Sequence, residues 1–276
     1  IGAYASANLV NMGFPFLAAL ILAALIAGIG TLIIGLPSLR VKGLYLALAT
    51  LAAQKIFEFA VRHGGSLTEP TLGLKTSWPI IGGIAFNTIQ MKYLVVMAFC
   101  VLMTILAKNL MRLSTGRMFM AVRDNDIAAE VMGINIYRTK FFSFFICGIF
   151  AGVAGALWAH VTQSLSWEHF TLMQSIWLLG MLIVGGLGGN ILGAIFGPIF
   201  IKAVDELARV AFKSITLPEA LTGLVIGGMT GSEGGAAISL GVFAIVVIAF
   251  LIFEPRGLSH RWEVFKNWYR IYPFSY

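Results

Sequence analysis

The side chains that could do chemistry in this chain are its few charged ones, and their densest group lies between residues 108 and 140. This interval is a long polar stretch between strongly apolar segments. Its cations are Lys108, Arg112, Arg117, Arg123, Arg138 and Lys140, and its acids are Asp124, Asp126 and Glu130. This mixture has no catalytic arrangement, but it suits the polar rim of a protein–protein contact. We therefore expect a docking loop here.

A short helix is predicted at the centre of this loop, over 126–133. Asn125 or Asp126 can accept hydrogen bonds from the free amides at its start, and the final glycine can adopt the left-handed conformation that ends a helix. Two adjacent alanines leave one side nearly bare, a shape that fits a groove in a partner. The residues assigned to this contact are Arg123, Asp124, Asp126, Ile127, Ala128, Ala129, Glu130, Met132 and Gly133.

A second charged group lies at the end of an apolar segment, 43–60. Lys55, Glu58 and Arg62 recur at spacings of three and four residues, which places them on one face of a helix. Charges within a membrane span must face protein or a water-filled cavity. The group is either an ion pair inside a helix bundle or a charged lining of an outer vestibule, and the sequence leaves both interpretations open.

Polar side chains and glycines of the apolar segments could line a path for a solute. Gln54 and Thr50 precede Glu58 of this group by about one and two helical turns. The segment 175–201 contains the run Gly-Gly-Leu-Gly-Gly-Asn, which predicts a broken helix where backbone meets solute or helices slide. The residues assigned to this path are Tyr45, Thr50, Gln54, Gly185, Gly186, Gly188 and Gly189.

Histidines, cysteines and glycines give no metal site, redox site or phosphate loop. His160 and His169 fall in a predicted outer loop at a spacing that matches no helical ligand pair. Cys100 and Cys147 fall within apolar segments, which predicts packed small apolar side chains. No Lys-Ser or Lys-Thr follows the glycine run, as a phosphate loop requires. The sequence therefore predicts no metal, no cofactor and no catalytic role for this chain.

The composition predicts an all-α polytopic membrane protein. Of the 276 residues, 59% are hydrophobic and 11% are charged, whereas soluble domains have about 25% charged residues. The uncharged runs are 1–39, 141–167, 170–201 and 234–253. Each is long enough to span a membrane, and we expect a helical bundle with about 7–8 spanning or re-entrant segments. Small residues four apart in 148–156 predict close helix contacts.

Basic loops orient such a chain, because they stay on the cytoplasmic side. We expect a single transmembrane domain over 1–260, with the loop 108–140 in the cytoplasm. A cytoplasmic tail, 261–276, interleaves basic and aromatic residues, as segments lying on membrane headgroups do. The net charge of +7 thus indicates orientation and not nucleic-acid binding. Because the chain begins at Ile1 without an initiator methionine, we also expect residues before it.

The loop resembles a known family at the run RDNDIAAEVMGINIYRTKFFSF. It is similar to the cytoplasmic loop of the LivM-type permeases of bacterial ABC importers for branched-chain amino acids, where this loop docks on an ATPase subunit. Further blocks resemble the family in order. They are IGAY at 1–4, LPSLRVKGLYLALATLA at 36–52, GVAGALWA at 152–159, GGLGGNILGAIFGP at 185–198 and PRGL at 255–258.

The resemblance implies a heteromeric importer in the bacterial inner membrane. Its other parts would be a LivH-like sister permease, two LivG/LivF-like subunits that bind ATP and Mg, and a periplasmic substrate-binding protein. In the outer loop, where the family often has LTGGTDGL, this chain has LTEPTLGL at 67–74, and Thr68 and Thr71 are its assigned outer-loop residues. Related permeases for urea, short amides and aromatic or dicarboxylic acids share the same blocks, so the solute stays open. The alternative from another class is a stand-alone ion-coupled secondary transporter.

Overall fold

The structure is a computed structural model, and it describes most of the chain. The described residues are 1–38, 43–65, 68–69, 73–76, 80–81, 84–85, 88–186, 191–214, 241, 244–245, 247–249, 252 and 257–271. They form two compact units, Ile1–Leu172 and Met173–Tyr276.

Helices contain nearly all of the residues in the described elements. They are α1 (Gly2–Asn11), α2 (Phe16–Ser38), α3 (Leu44–Arg62), α4 (Ile89–Arg112), α5 (Ser114–Asp124), α6 (Asp126–Val131), α7 (Ile136–Thr162), α8 (Leu172–Gly185), α9 (Gly193–Ser214) and α10 (Gly257–Ile271), with a 3-10 turn at Trp167–Phe170. The short strands are β1 (Leu74–Lys75), β2 (Ile80–Ile81), β3 (Ile84–Ala85) and β4 (Ser164–Leu165). The all-α class predicted from the composition fits this architecture.

The core of the first unit is formed by α1, α2 and α7. Helices α2 and α7 run antiparallel, since Phe16 at the start of α2 lies against His160 near the end of α7, with 5.1 Å between the ring centroids. Their backbones approach closely, because a Cβ built on Gly152 would lie only 2.6 Å from the Cβ of Ala27. The close helix contact predicted for 148–156 is therefore confirmed.

One end of this unit is tied together by backbone and side-chain hydrogen bonds between loops. Strand β1 pairs antiparallel with β4, so the loop after α3 joins the loop after α7. Thr76 Oγ1 donates to the carbonyl of Ala159 at 3.0 Å, and Asn11 Nδ2 donates to the carbonyl of Lys75 at 3.1 Å. The end of α1, the end of α7 and both loops thus lie at the same end of the unit, opposite to α6.

Helices α3 and α4 leave much apolar surface uncovered within this chain. No side chain of α4 is buried, although the helix has 24 residues and is strongly apolar. On α3, Tyr45, Ile56 and Phe59 are all more than half exposed. In an aqueous protein such surfaces would be unfavourable, whereas in a membrane they suit lipid or a neighbouring subunit.

The second unit is built where α8 and α9 touch through glycines. Gly185 at the end of α8 lies against the backbone of Gly193 at the start of α9, and Gly197 one turn later lies against the carbonyl of Met181. Below this contact, Met181, Val184 and Ile201 form a buried apolar cluster. The predicted break in 175–201 is confirmed, because one helix ends at Gly185 and the next begins at Gly193.

Three of the described helices are long and apolar enough to cross a membrane: α4, α7 and, over Phe16–Ile33, α2. Helix α8 is apolar but shorter. Helices α2, α4 and α7 agree with the spans expected from the sequence at about 15–36, about 93–111 and 141–159. Part of the chain lies outside the described residues, and the predicted number of 7–8 segments stays a prediction. The same holds for the single domain over 1–260.

Candidate functional site

The loop 108–140 contains an additional helix that the sequence analysis missed. Helix α5 lies between α4 and α6; the chain turns at the extended residue Leu113, and Gly116 in the first turn of α5 packs against the end of α4. A Cβ at this glycine would lie 2.5 Å from the Cα of Met111, so only glycine fits the turn. The signal was present in the apolar residues 118–122 that follow, but the surrounding charges hid it.

The predicted short helix is confirmed as α6, with both of its end signals. Asn125, the first of the two predicted candidates, caps it: its Oδ1 accepts from the backbone N–H of Ala128 at 3.1 Å. At the other end, Gly133 has a positive φ of 83°, and its N–H donates to the carbonyl of Glu130 at 2.9 Å. A six-residue helix would be unstable in isolation. These contacts at its two ends give α6 a defined shape, and we call this helix the knob.

The bare alanine face predicted for this helix needs a correction. Ala129 is only 3% exposed, because α6 packs this side against α5 and the start of α7. The side that faces outward carries Ile127, Val131 and Met132, which are 71%, 84% and 82% exposed, together with Ala128. Because Ala129 is small, α6 can pack closely on its own chain, and the face that stays exposed is the opposite, apolar one.

The charged residues assigned to the rim are exposed around this knob. Arg123 Nη2 lies 2.9 Å from Asp124 Oδ1, an ion pair at the end of α5 in which both side chains are more than half exposed. Glu130 is also exposed, and Asp126 is partly buried. A solvated pair of this kind adds little to stability, so its charges remain accessible to a partner.

The knob is linked directly to the core helix of the unit. Only 132–135 separate α6 from α7, and Asn135 caps α7 by accepting from the N–H of Arg138 at 3.0 Å. The hydroxyl of Thr139 donates to the carbonyl of Asn135 at 2.8 Å, which fixes the same turn. A displacement of α6 would therefore pass into α7, and through its close backbone contacts into α2.

The charged group on α3 lies on one helix face, as its spacing predicted, and its members form ion pairs. Glu58 lies between two cations, at 2.8 Å from Lys55 Nζ and 2.7 Å from Arg62 Nη2. The guanidinium of Arg62 also lies 3.7 Å from the centroid of the Trp167 ring. Lys55 and Arg62 are both substantially exposed in this chain, and the two interpretations of the group, an ion pair inside a helix bundle or a lining of an outer vestibule, stay predictions.

Of the residues assigned to the solute path on α3, two lie together and one does not. Thr50 and Gln54 are one turn apart and share a helix face, which continues to Glu58. Tyr45 lies five residues before Thr50 and so falls on a different side of α3, where it is 70% exposed. The polar row on α3 is therefore Thr50, Gln54 and Glu58.

The glycines assigned to the path serve packing where the structure describes them. Gly185 touches α9. Gly186 has a φ of 108°, and its backbone lies so close to Gly257 that a Cβ on Gly257 would collide with the Cα of Gly186. Gly188 and Gly189 lie outside the described residues. The role of all four in a solute path stays a prediction.

The assigned outer-loop residues are only partly described. Thr68 lies over the end of α3, where a Cβ on Gly64 would come within 2.7 Å of its Oγ1. This hydroxyl is buried, and the described part of the chain offers it no hydrogen-bond partner. Thr71 lies outside the described residues. Whether either threonine meets a solute stays a prediction.

A buried polar pair escaped the sequence analysis. His160 was expected in an outer loop, but α7 continues to Thr162 and buries it completely. Its Nε2 lies 3.0 Å from the hydroxyl of the equally buried Ser6 on α1. The pair joins α1 to α7, and a serine and a histidine within apolar runs were its only signal.

The structure offers no ligand set for a metal in the part it describes. Among the described residues, no three His, Cys, Asp or Glu side chains gather to hold an ion. Cys100 and Cys147 are exposed thiols, which corrects the expectation that they are packed inside the protein. Cys100 lies on α4 and Cys147 lies on α7, and the described residues leave both side chains exposed.

The chain belongs to the family described as the branched-chain amino acid transport system permease component, whose model matches residues 1–230. This family is a transport component, and no enzyme family is indicated. The family and the long apolar helices together indicate a multi-pass inner-membrane protein. The predicted LivM-type resemblance is thereby confirmed.

Individual relatives agree with the family. LivM, the permease protein of the high-affinity branched-chain amino acid transport system of Salmonella typhimurium, is 30% identical over 234 residues, or 76% of this chain and 55% of LivM. LsrC, the autoinducer 2 import system permease protein of an Enterobacter species, is 30% identical over 143 residues, 50% of this chain and 41% of LsrC. A probable branched-chain amino acid permease protein, LivH of Methanocaldococcus jannaschii, is 27% identical over 78% of this chain and 63% of LivH.

The chain spans about half of the length of LivM and less than two thirds of that of LivH. No solved structure matches this chain.

Proposed function

We propose that the chain is the membrane-spanning permease subunit of a bacterial ABC importer for branched-chain amino acids or a related small polar solute. The observation that carries the proposal is α6: a capped helix with an exposed apolar face, linked through four residues to the core helix α7. The family and the likeness to LivM support the solute class. The likeness to LsrC supports a wider range of solutes within the same transport mechanism.

In the proposed assembly, other subunits would bind ATP and deliver the solute. Its sequence has no phosphate-binding loop, so ATP and Mg would be bound by two LivG/LivF-like ATPase subunits. A LivH-like sister permease would cover exposed apolar surface of α3 and α4. A periplasmic binding protein would deliver the solute at the end of the unit where β1 pairs with β4. The loop 108–140 and the C-terminus would then be cytoplasmic.

In this mechanism the ATPase subunits hold the face formed by Ile127, Val131 and Met132. When they close on ATP, α6 moves with them as a rigid body, because both of its ends are capped. The turn at Asn135 passes the motion to α7, and the glycine contacts pass it on to α2. The bundle would thereby alternate between outward-open and inward-open states.

Substitution of Met132 tests this coupling. Burying a methionine side chain contributes about 1.5–3 kcal/mol, so we expect Met132→Asp to weaken ATPase binding tenfold or more. The matched control, Met132→Leu, keeps an apolar side chain and should keep binding. The measurement is co-purification of ATPase subunits together with ATP-driven uptake, at matched membrane levels of both variants. Full uptake by Met132→Asp would refute the coupling role of this face.

The alternative of a stand-alone ion-coupled transporter is less well supported. Such a protein would need a carboxylate that takes up and releases a proton or ion within a span. Glu58 is the carboxylate that the sequence offers in such a segment, and it is already engaged by Lys55 and Arg62. Solute uptake into vesicles without ATP and without partner subunits would favour this alternative.

A further inference from the structure

The C-terminal helix α10 has an aromatic face that the described chain leaves exposed. Trp262, Phe265, Trp268 and Tyr269 are 46%, 57%, 60% and 73% exposed. At about 100° per residue, these four side chains fall within an arc of about 120° on one side of the helix. The rings follow one another along it, with 6.1 Å between the centroids of Trp262 and Phe265 and 6.4 Å between those of Phe265 and Trp268.

The start of the same helix is held firmly in the second unit. Gly257 packs against the backbone of Gly186, and Ser259 is only 3% exposed beside Gly193. Leu258 adds to the apolar cluster around Met181. The first turn of α10 is therefore fixed on α8 and α9, and Trp262 still contacts Phe196 of α9, with 5.8 Å between the ring centroids. Phe265, Trp268 and Tyr269 continue the aromatic face into the exposed part of the helix.

Exposed cations accompany this aromatic face. Arg261 and Lys266 lie on opposite sides of its centre, and both residues are exposed. Tryptophan and tyrosine favour the boundary between headgroups and acyl chains, where a ring can be buried while its polar edge stays wet. Lysine and arginine favour the same level, because they place their charge among anionic headgroups. Protein interfaces are also rich in aromatic residues and arginine but poor in lysine, so Lys266 beside the rings favours a lipid surface over a protein partner.

We propose that α10 is an interfacial anchor that lies on the anionic surface of the bilayer and buries its aromatic face about 5–10 Å deep. The occupant of the face is the phospholipid itself. Because the first turn is fixed to α8 and α9, this anchor would hold the second unit at a set depth against the membrane. The inference requires a membrane protein, which the family indicates, and does not depend on coupling through α6.

Site-directed spin labelling of the full chain tests the proposal. Single cysteines replace Phe265, Trp268 or Asn267 in a Cys100→Ala/Cys147→Ala background, in nanodiscs of phosphatidylcholine with or without phosphatidylglycerol. Labels at 265 and 268 should collide more with oxygen, which partitions into lipid, than with a water-soluble nickel chelate. The label at 267, on the other side of the helix, should show the reverse. Equal nickel access at all three positions, or low access to both reagents at 265 and 268 as under a protein partner, would overturn it.

A double variant tests how far Arg261 and Lys266 attract α10 to anionic lipid. Arg261→Gln/Lys266→Gln should raise nickel access at position 265 severalfold in discs with phosphatidylglycerol and leave it unchanged in phosphatidylcholine alone, since each cation contributes roughly a fivefold preference for an anionic surface. The control Arg261→Lys/Lys266→Arg keeps both charges and should behave as the parent. If the glutamine variant matched the parent in both lipids, the proposed attraction to anionic lipid would be wrong.

Discussion

Asn125 and Gly133 show how single residues define the two ends of α6. A helix of six residues cannot sustain itself by propagation alone, so its stability depends on its two ends. The side chain of Asn125 satisfies an amide at the start, and the positive φ of Gly133 directs the chain away at the end. Neither residue needs to touch a partner in order to be essential for the shape that a partner would bind.

Removing the cap should loosen α6 without displacing the rest of the unit. We expect Asn125→Ala to cost about 1 kcal/mol, which corresponds to roughly fivefold faster amide hydrogen exchange over 126–131. Asn125→Asp is the matched control, because aspartate also accepts at an N-cap, and its exchange should resemble that of the parent. Unchanged exchange in Asn125→Ala would mean that the cap contributes nothing to α6.

Gly152 is a residue whose lack of a side chain sets the spacing of two helices. A Cβ there would lie 2.6 Å from the Cβ of Ala27 and 2.9 Å from the Cα of Ala24. We expect Gly152→Leu to separate α2 from α7 and to destabilise the protein by about 1–3 kcal/mol. Ala151→Leu, at the neighbouring exposed position, is the control. Thermal stability in detergent measures both, and equal values would argue against this close contact.

Among the elements, α7 connects the two ends of the first unit. Its start receives α6, its middle packs on α1 and α2, and its end pairs with the outer loops through β4. A helix with these contacts can transmit a displacement over its length, because packed backbones shift as rigid bodies. The sequence revealed α7 as an apolar span, but not that it is the central helix of its unit.

The pairing of β1 with β4 gives a test of both the fold and the orientation. Lys75 lies opposite Ser164 in the antiparallel register, and both residues are exposed. Opposed strand residues are close enough for a disulfide with small adjustments. In the proposed orientation this end faces the oxidising periplasm, so Lys75→Cys/Ser164→Cys in a Cys100→Ala/Cys147→Ala background should form a disulfide spontaneously in cells.

The single-cysteine variants serve as controls for this pair, and a shift in electrophoretic mobility without reductant detects the bond. If both thiols stay free in cells but are joined by an added oxidant in broken membranes, the pairing is right and the orientation is reversed. If no oxidant joins them, the pairing itself is wrong.

At the scale of the whole molecule, the exposed apolar surface of α3, α4 and the face of α6 indicates a part of a larger assembly. The chain would neither bind nor hydrolyse ATP, and its motion would be driven by neighbours. We therefore expect uptake by the complete transporter in vesicles to stop when ATP is removed or Mg is chelated. Binding of the solute to the isolated periplasmic protein should continue under both conditions. Undiminished accumulation without ATP would contradict the proposed ABC mechanism.

Physical arguments from the sequence alone determined the membrane class, the positions of the long apolar spans, the break among the glycines and the ends of α6. These features depend on local signals: runs of uncharged residues, a capping side chain next to free amides, and glycine where φ must be positive. Helical spacing within one segment likewise placed Lys55, Glu58 and Arg62 on one face of α3.

Only the tertiary structure decided which faces of these elements are used. Ala129 looked available for a partner because nothing in the sequence shows that α5 lies beneath it, and the exposed face of α6 carries Ile127, Val131 and Met132 instead. His160 looked like a loop residue until α7 was seen to bury it against Ser6. Helical periodicity groups residues into faces, but which face is covered depends on contacts between segments far apart in the chain, and those exist only after folding.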